Sequence, residues 1–505
     1  MSRPAWWQRA ALPFAVALLL AAAARAAFPF DGLYGQDAFA YFRFARAFVP
    51  HLRFDLPLPD LYWPRGYPVA VAALLPLTGG GPAAGQLVSA LACAWAAAAS
   101  YLLVQALEPE TAGRGAPLVA GLAVAASGAV LRTSQVVMAD GLALGLAATA
   151  MLCAARFAVD RRGWWLVACA AALSWGAVTR WLVGLLALPI AAHWLLALRA
   201  PQPERQPLPA QAARPGRWPW IAAAAVVGLM VVIPQLVAAH AVPRSFEAHE
   251  WLERWNPAHA FERDFRTGEG PTHYKLPVAL FYLARLGWPD YLFPGVALFA
   301  LIGLWIVVRE RRWAAAALLV GWPLVVWLFI SGIPYENPRF LLPTLPAIGA
   351  LVGIGFARVA AMVSRRGRTA LAGVFAASLV AGIALGAREH ARVVVAHKNA
   401  GLDAVAWMSR EVPAPATVLM SGGTLIFEHY GSTKVRDIFL LTPAALDELI
   451  AGGGPYYYCE DPDEIAARWT GLSPALHQQA LRARGLSEVA RHPPYSLFRV
   501  ASARR

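Results

Sequence analysis

Apolar runs long enough to cross a bilayer recur in this chain as far as about residue 387, and they decide what it can become. The first covers residues 11–24. Others lie near residues 84–107, 116–137, 141–158, 164–179, 181–198, 219–240, 292–308, 313–331, 341–362 and 369–387. A spanning helix needs about 20 apolar residues, so the runs predict about eleven spans. Within lipid each backbone polar group must be bonded inside its own segment, which makes such runs helical. The stretch 164–198 is divided at Arg180, because an arginine in mid-bilayer is costly. Hydrophobic residues make up 58% of the chain and charged residues 15%, where a soluble protein carries about a quarter. The expected fold is mainly α, a polytopic membrane helix bundle.

The net charge of +14 raises the question of nucleic-acid binding, and its distribution answers it. Residues 388–505 hold 13 Arg and Lys against 12 Asp and Glu, so the excess lies between the apolar runs. It collects at Arg161-Arg162, Arg199 to Arg217, Arg309-Glu-Arg-Arg312 and Arg365-Arg-Gly-Arg368. That is a positive-inside pattern rather than a nucleic-acid patch. It predicts a multi-pass protein of the inner (plasma) membrane, with a cytoplasmic N-terminus and a periplasmic or extracellular C-terminal region. Residues 1–28 also read as a secretory signal, but an uncleaved first helix is the preferred reading. Both deliver Asp37 to the outer side. Cys93, Cys153, Cys169 and Cys459 have neither disulfide-framework nor zinc-site spacing.

The outer side then receives residues 29–83, the surroundings of Asp140, Arg180, residues 241–291 and 332–340, and everything after 387. Residues 66–77 are apolar but too short to span, so they read as an interfacial or re-entrant helix. The 241–291 segment mixes Trp251, Trp255, Tyr274, Phe281, Tyr282 and Trp288 with charges, as headgroup-level helices do. Residues 1–387 form the expected transmembrane domain, and 388–505 a small α/β domain. In the latter, 418–421, 424–427, 456–459 and 496–500 read as strands, and 443–451 and 462–469 as helices.

Polar residues gather at this outer face. Asp37 precedes Tyr41 in the first outer segment, and Asp140 follows Ser134-Gln-Val-Val-Met. Arg180 sits at an outer turn, and Glu336-Asn-Pro-Arg339 precedes the last but one span. A carboxylate in such a place is costly to keep and is a functional candidate by default. Arginine's fork matches phosphate oxygens bidentately.

Four segments in this order are similar to a known family. They are Asp37 with its trailing aromatics, Trp63-Pro-Arg-Gly-Tyr-Pro68, Ser134 to Asp140, and Pro338-Arg-Phe-Leu-Leu-Pro343. Over roughly residues 10–360 the chain resembles the GT-C glycosyltransferase superfamily. It looks most like bacterial relatives of the dolichyl-phosphate-mannose protein mannosyltransferases and lipopolysaccharide sugar transferases. The resemblance implies a polyprenyl-phosphate-sugar donor, hexosyl transfer at the outer face, inversion at the anomeric carbon, and Asp37 as general base. The acceptor class stays open among lipid, glycan and protein. Many relatives carry Asp-Glu where this chain has Asp37-Ala38, and a proline where it has Arg65.

The chemistry is coherent beside the resemblance. Transfer from a lipid phosphate needs a base at the acceptor hydroxyl and cations for the departing phosphate. Asp37 supplies the base; Arg180, Arg339 and Lys275 are the candidate cations, with Asp140, Tyr41 and Tyr67 as further substrate-binding candidates. Each has a plainer reading. Asp37 and Asp140 also suit helix caps, Arg339 a bridge to Glu336, and Arg180 a headgroup contact. Asp31 and Asp60 read as loop residues or alternative bases, Glu250 and Asp264 as solvated charges, and His193 as core. A divalent cation is compatible with the family, but no ligand cluster near Asp37 is visible in the sequence. The competing function is a secondary transporter or flippase of lipid-linked sugars. The absence of a half-repeat speaks against it.

Overall fold

The computed structural model describes residues 8–51, 61, 63–108, 115–199, 217–241, 253–267, 270–439 and 441–501. Asp60, Glu250, Trp251 and nearly all of the Arg199-to-Arg217 loop lie outside them. Among the described residues eight helices are long and apolar enough to cross a membrane. They are Gln8–Ala27, Ala83–Leu107, Ala139–Asp160, Trp181–Arg199, Trp218–Val237, Trp313–Ile330, Pro338–Met362 and Arg365–Glu411. The chain is thus a multi-pass membrane protein, mainly helical, as its apolar runs require. The other three expected spans are apolar helices that miss this length or straightness. Gly163–Thr179 and Pro294–Arg309 are short, and the run over 116–137 is broken.

The bundle is held by close helix contacts at small residues, the usual means of association where lipid removes a hydrophobic drive. A Cβ on Gly303 would overlap the carbonyl of Leu351, and one on Gly355 that of Phe299. Pro294–Arg309 and Pro338–Met362 therefore touch backbone to backbone. Between Ala83–Leu107 and Ala139–Asp160 a Cβ on Gly145 would overlap the Ala92 carbonyl, and one on Gly141 would press on Ser89. The division at Arg180 is where the sequence predicts it: Gly163–Thr179 ends there and the next helix starts at Trp181.

Two interruptions shape one end of the bundle. Ala116–Ala125 and Gly128–Gln135 meet at a 52° bend, where Ser127 leaves the helix and donates its hydroxyl to the Tyr291 carbonyl at 2.6 Å. Residues 136–138 are extended, and polar side chains of Ala83–Leu107 satisfy them. Gln86 donates to the carbonyls of Phe30 (2.9 Å) and Gln135 (2.8 Å), and Ser89 to that of Val136 (2.9 Å). The two Gln86 bonds fasten the segment around Phe30 to the break.

Gly66–Leu77 is a short apolar helical segment, as expected. The described part of 241–291 contains an unforeseen hairpin, β1 (Asp264–Thr267) antiparallel to β2 (Gly270–His273), and a helix, Val278–Leu286.

The C-terminal part is α/β. Strands β3 (Thr417–Met420), β4 (Lys434–Asp437), β5 (Tyr456–Glu460), β6 (Leu486–His492) and β7 (Tyr495–Val500) stand in the order β4-β3-β5-β7-β6. β3 runs parallel to β4 and β5, and β7 antiparallel to β5 and β6. Val418 and Met420 enter one apolar cluster with Trp407 and Met408, while Leu419 enters another with Leu446 and Leu481. β3 is buried on both faces, as its apolar run implies. The boundary expected at 387/388 lies inside the continuous helix Arg365–Glu411, which carries the membrane part into this domain.

The strand expected at 424–427 is instead the start of helix Thr424–Tyr430. Its Phe427 packs into the sheet domain, while Leu425, Ile426 and Tyr430 pack against the cluster that holds Leu33 and Phe39. Its first turn has apolar contacts on two sides, so residues 424–427 read as a buried strand.

Candidate active site

Helix Gly35–His51 starts where Gly35 takes a φ of +66°, a left-handed turn that glycine adopts freely. Asp37 therefore lies inside the first turn rather than at the cap position. There its charge is favoured by the helix dipole. Asp140 is likewise second in its helix, behind Met138 at the cap, and makes no capping bond. The capping reading fits neither acid.

Asp37 and Asp140 are joined by arginines. Arg339 Nη2 lies 3.4 Å from Asp37 Oδ2, and its Nη1 lies 3.8 Å from Asp140 Oδ2. Arg180 Nη2 lies 2.6 Å from Asp140 Oδ1. Asp140 is 1% exposed, so a nearly fully buried carboxylate bridges two guanidiniums. A buried charge of this kind is tolerated only when paired. Asn337 orients Arg339: its Oδ1 accepts from the Arg339 backbone N–H at 3.1 Å and from Nε at 3.3 Å. Arg339 Nη1 also lies 3.1 Å from Met138 Sδ. The bridge to Glu336 allowed by the sequence is not the pairing observed; Arg339's acidic partners are Asp37 and Asp140.

These groups open on a cavity of about 470 Å³, lined by Asp37, Arg132, Asp140, Tyr335, Asn337, Arg339 and His397 among others. Arg132 was hidden within an apparent span. The bend at Ser127 brings it to the cavity, where its Nη2 is 2.8 Å from Asp290, and Arg285 shares that carboxylate at 2.9 Å. Arg132 and Arg339 thus line the same cavity as Asp37. The signal in the sequence was an arginine no membrane-spanning helix would face to lipid. Tyr34 also lines the cavity; burial raises its phenol above the usual value, and the positive Arg339 and Arg132 oppose that rise.

The other candidates fall elsewhere. Arg180 stands behind Asp140, its guanidinium 5.5 Å from the Phe340 ring centre, and does not line the cavity. Tyr41 and Tyr67 are buried against each other beneath the helix, ring centres 5.4 Å apart, with Tyr67 donating to the Gly85 carbonyl. Both are removed from the cavity wall. Lys275 is exposed and is not part of the wall. Asp31 accepts from the Leu33 N–H and the Tyr430 hydroxyl and pairs with Lys398 at 3.3 Å, which ties the segment after the first helix to the C-terminal domain. Among the described residues no metal-ligating group of three surrounds Asp37; the one grouping of that kind is Glu253, His259 and Glu262.

Glu336 borders the cavity-lining residues Tyr335 and Asn337. Its Oε1 is buried with no hydrogen-bond partner, and burial pushes the carboxyl up to about 7 from a usual 4.5. The folded chain therefore holds this proton more tightly than the unfolded chain. The associated stability is complete below about 4.5 and is lost as pH rises through about 7. Glu336→Gln is expected to match the parent's melting temperature near about pH 4.5 and to exceed it by about 2 °C or more at about pH 8. An equal difference at both pH values refutes the assignment.

No family model matches this chain, and no curated protein matches its sequence. Solved structures match it in fold. ArnT from Cupriavidus metallidurans, bound to undecaprenyl phosphate, aligns with a TM-score of 0.62 at 16% identity, over 98% of each chain. The Archaeoglobus fulgidus oligosaccharyltransferase, tethered with an acceptor peptide, aligns at 0.58 and 13% identity, over 99% of this chain and 74% of that one. The mycobacterial arabinofuranosyltransferase AftD aligns at 0.50 and 19% identity, over the whole of this chain and 40% of its own. With the bundle, the broken helix and the C-terminal α/β domain all inside the alignment to ArnT, the chain shares the fold of these solved membrane proteins.

Proposed function

We propose that this protein transfers a sugar, a hexose or a close relative, from a polyprenyl-phosphate-linked donor to a hydroxyl of a lipid, glycan or protein acceptor, with inversion. The observation that carries this reading is the cavity in which the Asp37 carboxylate faces Arg339 and Arg132. Undecaprenyl phosphate in the similar ArnT supports the choice of donor class.

In the proposed reaction the donor phosphate lies against Arg339 and Arg132. The acceptor hydroxyl attacks the anomeric carbon from the face opposite the phosphate while Asp37 takes its proton. The bond from that carbon to the phosphate oxygen breaks, and polyprenyl phosphate leaves with its charge held by the guanidiniums. Preformed charge is most effective where water is scarce. Arg180 and Asp140 do not touch substrate in this scheme; they hold Arg339 in place. Asp31 is committed to Lys398 and Tyr430, which favours Asp37 as the base. The test is transfer of label from a polyprenyl-phosphate sugar to endogenous acceptors in membranes containing the parent or Asp37→Asn. Identical label transfer in membranes without the protein refutes the reading.

The reaction face belongs to the same proposal. The Arg-rich loops favour a cytoplasmic N-terminus and an outward cavity and C-terminal domain. All four native cysteines are buried. Ser432→Cys, at an exposed position beside β4, is expected to react with an impermeant thiol reagent in intact spheroplasts. Reaction only after lysis refutes this orientation.

A further inference from the structure

A second polar cluster lies outside the cavity, and it is independent of the reaction proposed above. His259 is 6% exposed at the turn Pro257–Phe261. Its Nδ1 is 3.1 Å from the Gly332 carbonyl oxygen, an acceptor only, so Nδ1 carries a hydrogen and the neutral ring presents a bare lone pair at Nε2. That lone pair faces two acceptors, Glu253 Oε2 at 3.5 Å and Glu262 Oε2 at 3.8 Å. One atom from each residue can be chosen so that all three lie within 4.8 Å of one another. In the neutral form three electron-rich atoms of Glu253, His259 and Glu262 thus face one another.

The spacing distinguishes what belongs there. A direct N–H···O bond has a length of about 2.7–3.2 Å, and both contacts are longer. Ligand atoms of a tetrahedral zinc, bonded at about 2.0–2.1 Å, stand about 3.3–3.4 Å apart. The separations of His259 Nε2 from the two carboxylates, 3.5 and 3.8 Å, lie nearer to that value than to a direct bond. The supporting contacts are of the kind that orient metal ligands. The imidazole is held by the Gly332 carbonyl and by the edge-to-face ring of Phe265 at 5.2 Å. Glu253 Oε1 accepts the Arg266 backbone N–H at 2.9 Å, which leaves Oε2 for an ion.

We propose that Glu253, His259 and Glu262 bind one divalent cation of the zinc class, with water completing its coordination. The ion would join the turn Pro257–Phe261 and the β1–β2 hairpin to the turn at Gly332. That turn leads within a few residues to Tyr335, Asn337 and Arg339 in the cavity wall. Its role is thus to position the outer segment beside the cavity, not to enter the reaction.

The experiment uses the full chain in detergent micelles, stripped with a chelator, dialysed, and titrated with zinc chloride against a chromogenic zinc indicator. The comparison is Glu253→Gln/Glu262→Gln, which keeps side-chain size and the Oε1 acceptor for Arg266. The parent is expected to hold one more equivalent of zinc than this variant, whose affinity at the site falls by about 100-fold or more. Zinc should also slow tryptic cleavage after Arg263 and Arg266 in the parent alone. Asp37→Asn should retain the extra equivalent. Equal zinc in parent and double variant, equal protection by zinc, or loss of the extra equivalent in Asp37→Asn overturns the proposal.

Discussion

Asp37→Asn is expected to leave a folded protein whose sugar transfer falls by about 100-fold or more, the usual contribution of a general base. Asparagine keeps the size and much of the hydrogen bonding of aspartate, and it removes only the proton acceptor. Arg339 retains Asp140 as a partner in this variant, so no buried charge is stranded. Loss of a favourable helix-dipole contact costs about 0.3–1 kcal/mol, too little to unfold the chain. Donor affinity should change little, because the carboxylate does not hold the phosphate. Single-turnover transfer and equilibrium donor binding separate these effects. Near-parent transfer by Asp37→Asn refutes the assignment of the base, whatever its effect on melting.

Arg339→Ala is expected to weaken donor binding and transfer by about 100-fold, the order seen when one preorganised donor is removed from a developing charge. Arg339→Lys should recover only part of this. Lysine is a point charge, whereas the guanidinium reaches toward Asp37, Asp140 and the Asn337 amide oxygen at once. The protein should fold in both variants, since Asp140 keeps Arg180 at 2.6 Å. Binding of undecaprenyl phosphate, followed by calorimetry, is the direct measurement. Equal affinity in Arg339→Ala and the parent removes Arg339 from the donor site. Its remaining role is then the bridge between Asp37 and Asp140.

The membrane bundle was legible because transfer of a residue into lipid is nearly a local property, summed along a run of about 20 residues. The same rule placed the break at Arg180. The prominence of Asp37, Asp140 and Arg339 was legible too, since ionisable groups near a membrane stand out against apolar neighbours. Their mutual geometry was not. Asp37 and Arg339 are 302 positions apart, and only helix packing decides that they meet. Arg132 was unreadable for a related reason. The bend at Ser127 depends on the Tyr291 carbonyl from a distant segment, and without it the arginine counts as part of a span. Tyr41 and Tyr67 show the reverse, because aromatics beside a motif look like substrate contacts until packing turns them inward.

The sequence by itself determined a multi-pass helical protein, with acids and arginines at one end of the bundle and an α/β domain after it. Hydropathy and charge act residue by residue, and a chain cannot hide them. Tertiary structure alone decided which arginine serves which acid, that Asp31 fastens the C-terminal domain through Lys398 and Tyr430, and that His259 faces Glu253 and Glu262. Those outcomes depend on side chains meeting within a few ångströms across distant segments. Such meetings are set by where small residues such as Gly303 and Gly355 let backbones touch, a property of the packed whole rather than of any local stretch.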